Sequence, residues 1–225
     1  MKPISNYIIE RIRVDNISTD TLPEDLKNKY KLVYNPDTGM YDCDDDITID
    51  DDLIENGRFK CNFGVVKGSF YCYGCESLTS LEGAPKEVGG SFDCYRCDSL
   101  TSLKGAPTEV GGSFDCSECK SLKTLDGAPE KVGGSFDCSN CNSLKTLEGA
   151  PIKVRVNFYC CYCDSLTSLE GAPKEVGVDF NCYNCNSLKT LEGSPKKVGG
   201  NFNCYNCPSL KDYNIKTKIG GKFVK

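Results

Sequence analysis

The chain contains no histidine and no tryptophan, and only two methionines in 225 residues. Without an imidazole there is no Ser-His or Cys-His nucleophile pair and no histidine-ligated metal site. No apolar run approaches the roughly 18 residues that a membrane-spanning helix needs. The start lacks the basic, apolar, small-residue order of a secretory leader. A membrane is therefore not an expected partner, and the expected location is the reducing cytoplasm. An excess of basic charge is missing as well. Residues 1–60 carry 14 acidic and eight basic side chains, and the remaining 165 carry 18 and 19. Affinity for nucleic acid comes largely from clustered Lys and Arg, so nucleic acid is not an expected partner either. With no phosphate-cradling loop and no paired catalytic groups, the chain is expected not to be an enzyme.

Cysteine, by contrast, is abundant. There are 17 cysteines, and 14 of them recur with the period of the chain. That period is 22 residues without slippage: Phe70, Phe92, Phe114, Phe136, Phe158, Phe180 and Phe202 are each followed by Cys after two residues, Cys after three more and Leu after three more. A fixed period means one small unit stacked along an axis, because a single unit cannot bury its own apolar face. Within residues 91–112, Phe92 and Cys94 share one face of a short strand, with Ser91, Asp93 and Tyr95 on the other. Cys97, Leu100 and Leu103 then point inward around a coil, and Pro107 with the following Gly pair prevents a helix on the far side. Arg155-Val156 and Val178 replace glycines of that pair.

Ahead of the repeats, Asp20 to Leu26 reads as a helix start with Asp or Thr as cap, running to about Tyr30. Asn35-Pro36-Asp37-Thr38-Gly39 is hairpin-turn chemistry between Lys31–Tyr34 and Met40–Cys43. The division expected is an N-terminal cap over 1–46, a degenerate first rung over 47–69, seven repeats over 70–213 with the last incomplete, and a closing strand over 214–225. The acidic run through Asp42, Asp44, Asp45, Asp46 and Asp50 to Asp52 lacks the Gly and terminal Glu spacing of an EF-hand, and reads as a solvated, edge-protecting cluster.

The order Phe-x-Cys-x-x-Cys-x-Ser-Leu-x-x-Leu resembles the leucine-rich repeat in its cysteine-containing variety. The continuation Leu-x-Gly-Ala-Pro-x-x-Val-Gly-Gly is similar to repeats of bacteria and tailed phages. The resemblance covers about residues 47–225. It implies a repeat solenoid: a leucine-rich-repeat-like parallel β-stack with a mostly irregular convex side, plus a small α+β cap. It also implies a protein partner, which for phage-borne repeats would be a host or defence protein.

Three readings of the cysteines compete, and disulfides are the least favoured in a reducing compartment. A Cys-x2-Cys pair repeated 18 residues later has zinc-site spacing, which would make the chain a Zn or Fe-S scaffold. Yet the cysteines fall in phase with Phe, Leu and Val, as small buried hydrophobes would. The core ladder is favoured, with no metal and no cofactor expected. Cys161 directly follows Cys160, and period-2 geometry turns it outward.

The outward columns offer the candidate binding face. After each Phe stand Tyr71, Asp93, Asp115, Asp137, Tyr159, Asn181 and Asn203. After the first Cys stand Tyr73, Tyr95, Ser117, Ser139, Cys161, Tyr183 and Tyr205. Tyrosine supplies contact area at low entropic cost, and the aspartate row favours a partner with a basic patch. The candidate partner-binding residues are thus Tyr71, Tyr73, Asp93, Tyr95, Asp115, Asp137, Tyr159, Tyr183 and Tyr205.

Overall fold

The computed structural model describes residues 20–225; the first 19 residues of the expected cap lie outside the described residues. Seven nearly identical rungs coil into a β-solenoid, and each rung holds two strands of two residues. The first strand is the Phe-x pair, as in Phe92–Asp93, and the second is the charged residue with Val, as in Glu109–Val110. Stacked in parallel, the Phe strands form a nine-stranded sheet from Ile47–Thr48 to Phe223–Val224. The Val strands form a ten-stranded sheet that ends at Lys218–Ile219 and begins with the antiparallel hairpin Val33–Asn35 and Met40–Cys43. Every central rung pairs with the next at an offset of 22, Phe114 with Phe136 and Val110 with Val132. The Val sheet is an addition to the sequence reading, which places coil on that side.

The interior consists of columns, each built from one residue type. Phe, both Cys, both Leu and Val of every central rung are buried. The rings from Phe70 to Phe180 stack with centroids 5.1–5.4 Å apart and planes within 10°, slightly more than the ~4.8 Å between strands. The rings therefore form one near-parallel column that follows the rung spacing. At the far end the order loosens: Phe223 meets Phe202 edge-on at 82°.

Two corners let a 22-residue rung close. After the Phe strand the chain turns through a left-handed residue, Arg96 at φ 60° in one rung and Asn140 at φ 60° in another. Asn accepts that conformation most readily among side-chain-bearing residues. After the second Leu the turn passes through Gly105 at φ 94°, where a Cβ would also collide with the backbone of Leu81 and Glu82.

The helix Glu24–Tyr30 seats Tyr30 in the core. Its N-cap is Pro23, with no side-chain cap bond. Asp20 is drawn away instead: its carboxylate accepts from Tyr41 Oη at 2.7 Å and pairs with Lys27 Nζ at 2.5 Å. The acidic run is not simply solvated. Asp42 Oδ1 accepts from the Val65 amide at 2.7 Å and Asp46 Oδ1 from the Ser69 amide at 2.6 Å, so both carboxylates bind the next rung's backbone.

Candidate binding face and thiol ladder

The outer face of the Phe sheet brings the predicted residues together, but the strand geometry behind that prediction stops early. Each Phe strand ends after two residues and gives way to a turn, which in the three aspartate rungs is closed by the amide two places beyond the aspartate. Asp93 Oδ1 accepts from the Tyr95 amide, Asp115 Oδ1 from the Ser117 amide and Asp137 Oδ1 from the Ser139 amide, each at 2.8 Å. These are Asx turns. Asn203 does the same for the Tyr205 amide at 3.0 Å, which explains why Asp and Asn exchange in this column.

The aspartates are half-buried as a result. Desolvation raises the carboxyls of Asp93 and Asp137 above their ordinary range, and the neighbouring Asp115 charge adds to both shifts. The three lie in register on adjacent strands, and among the described residues none has an ion-pair partner. Like charges directly opposite one another repel. The row is an electrostatic debt of the fold.

In the next column the tyrosines at the two ends are the most exposed. Tyr73 and Tyr205 are 52% and 60% exposed, while Ser117 and Cys161 are buried. Tyr71, Tyr95, Tyr159 and Tyr183 are half-buried. Tyr71 and Tyr73 meet edge-on with centroids 6.5 Å apart. Tyr162, which the sequence reading passes over, is 45% exposed and packs edge-on with Tyr183 at 5.4 Å. It occupies the left-handed corner at φ 57°, where the other repeats carry Gly, Arg, Glu or Asn, and an aromatic in that column was the available signal.

Cys161 corrects the outward reading: it is only 2% exposed. Period-2 alternation ends at the strand, and Cys161 begins the turn, where its small side chain folds back so that Sγ donates to the Asn181 carbonyl at 3.4 Å. Burial pushes its thiol up to about 12, so no nucleophilic thiolate forms there.

The ladder cysteines are all free and buried. From Cys97 onward, the second thiol of each rung donates to the first cysteine's carbonyl in the previous rung: Cys97 to Cys72 at 3.1 Å, Cys141 to Cys116 and Cys163 to Cys138 at 3.2 Å. A thiol is a weak donor, and here each is directed at a carbonyl oxygen rather than toward other sulfurs. Among the described residues, no three of His, Cys, Asp or Glu are gathered as a metal ion would require. No described helix is long and apolar enough to cross a membrane. Comparison with protein-family models, with curated proteins and with solved structures gives no match to this chain.

Proposed function

We propose that the protein is a non-enzymatic binding scaffold that presents the outer face of its Phe sheet to a protein partner bearing a basic patch. A repeat solenoid is compatible with that role, since stacked rungs offer an extended rigid surface. One observation carries the reading: the in-register row Asp93, Asp115 and Asp137, without ion-pair partners among the described residues, is flanked along its column by Tyr71 and Tyr159. A lysine or arginine laid over the row relieves the repulsion that the fold leaves in place, and the tyrosines on both sides supply apolar contact around it. The resemblance to repeats of phages and bacteria makes a host or defence protein the partner class to search first.

The test uses asparagine, because Asn203 already makes the same turn. Replacing all three aspartates by asparagine removes the charge and keeps the fold. Quantitative affinity purification with wild-type and triple-variant baits should show one basic partner lost from the variant, and lost again with Tyr73→Ala. An unchanged set of interactors, with unchanged circular dichroism, would overturn the proposal.

A further inference from the structure

On the Val sheet, the column one residue beyond each Val is nearly bare: Lys67, Gly89, Gly111, Gly133 and Arg155 succeed one another along the stack. Three consecutive rungs without a side chain leave a trough of about 970 Å³ running along the axis. The glycines are needed for close stacking. A Cβ on Gly111 would overlap the carbonyl oxygen of Gly89, and one on Gly133 that of Gly111.

Arg155 breaks this column at a visible cost. The amides of Gly111 and Gly133 reach their carbonyls at 2.9 Å, but the Arg155 amide reaches Val132 at 3.3 Å; the next position, where Val156 replaces the second glycine, reaches Gly134 at 3.2 Å against 2.7 Å for Gly112 and Gly134. The rung loosens, and a long cation stands at one end of the trough.

The adjacent wall is charge-segregated. Glu87 and Glu109 are register neighbours, and so are Lys131 and Lys153. Alternating signs would have stabilised every contact in this column. Glu109 does pair with Lys131, and Lys153 pairs with Glu175 at 3.0 Å. Glu87 and Arg155 have no ion-pair partner among the described residues. The trough thus has an uncompensated carboxylate toward one end and an uncompensated guanidinium at the other, three rungs apart.

We infer that this trough is a second docking site, for an extended peptide segment of a partner protein that carries a basic side chain over Glu87 and an acidic one over Arg155. Three rungs span roughly 14 Å, which an extended chain covers in about four residues. The bare glycine floor admits the intervening backbone, and Arg155 can hold the carboxylate through two parallel N–H donors. This site lies on a different sheet from the tyrosine and aspartate face and does not depend on it.

The full chain, immobilised, is challenged with a random octapeptide library. Enriched peptides should share a Lys or Arg and an Asp or Glu four to five positions apart. Their affinity should fall at least tenfold for Glu87→Gln and for Arg155→Gln, both surface changes whose folding is checked by circular dichroism, and should be indifferent to the asparagine triple variant. Three results would each overturn the site: no enriched charge pair, enriched peptides insensitive to both substitutions, or peptides lost only with the asparagine triple variant, which would belong to the Phe-sheet face. Self-association of the chain that Arg155→Gln abolishes would put a second copy in the trough and also overturn it.

Discussion

Cys119 Sγ donates to the carbonyl oxygen of Cys94, one rung earlier, at 3.2 Å. Among the described residues, that carbonyl otherwise receives only the long 3.3 Å bond from the Cys97 amide at the turn. The thiol therefore completes the corner of the rung below while its sulfur fills the core, two tasks that alanine cannot perform. Cys119→Ala should cost about 1–2 kcal/mol through lost packing and a lost weak hydrogen bond. Urea denaturation measures it, and a cost below about 0.5 kcal/mol would mean that the thiol is only a space-filler.

The same burial makes stability fall at alkaline pH. Cys61, Cys75, Cys161, Cys163 and Cys204 are all held up at about 12 by desolvation. An unfolded thiol titrates near 8.5, so above that pH the unfolded chain loses protons that the folded chain retains. Stability is full below the unfolded value and is lost as pH rises toward the folded one. Each such thiol contributes about 1.4 kcal/mol of loss per pH unit in that window. Denaturant midpoints should be level from pH 7 to 8 and drop steeply by pH 10, and thiol reagents should label all 17 cysteines only after unfolding. A level profile to pH 10 would place the sulfurs in water.

The rung was legible because the inward columns repeat one residue type at an invariant period, and in-register stacking is how such columns share a core. The second sheet was harder to see. Its strands are two residues long, and Glu109–Val110 shows only one inward residue, too short a stretch for alternation to register. Cys161 departs from expectation for a related reason: alternation does not extend two residues past the end of the strand at Phe158–Tyr159. The face columns were legible, but not their chemistry, since an Asx turn depends on the left-handed corner beyond it. In the rungs with Arg96 and Glu118 no glycine or asparagine marks that corner.

Phe136 and Asp137 separate core from corner within one strand. Phe136→Ala should cost about 3–5 kcal/mol, because a stacked, fully buried ring leaves a cavity between rigid neighbours. Asp137→Ala should cost about 1 kcal/mol by releasing the Ser139 amide, in line with the loss of other side-chain caps. Asp137→Asn should instead stabilise at pH 7. The raised carboxyl of Asp137 contributes most below the unfolded value near 3.9, and that contribution is lost as pH rises through the folded value. Asparagine keeps the turn without the charge, so its advantage should shrink toward zero near pH 3. Destabilisation by Asn at pH 7 would show that the row is paired rather than repulsive.

The glycine column gives the last test, because Arg155 carries, among the regular rungs, the substitution that its neighbours Gly133 and Gly177 avoid. Gly111→Ala sets a methyl against the Gly89 carbonyl, and the regular rung yields by stretching its ladder bond, as it does at Arg155. Overpacking of this kind typically costs about 1–3 kcal/mol. The converse change, Arg155→Gly, restores the close approach and should tighten the bond to Val132, but it also frees the unfolded backbone, which costs up to about 1 kcal/mol. The two effects nearly cancel, so Arg155→Gly should leave the denaturation midpoint almost unmoved while Gly111→Ala lowers it clearly. Hydrogen exchange distinguishes this balance from indifference: the amide at position 155 should become better protected in Arg155→Gly. If it exchanges as fast as before, the long bond to Val132 has some cause other than the added Cβ.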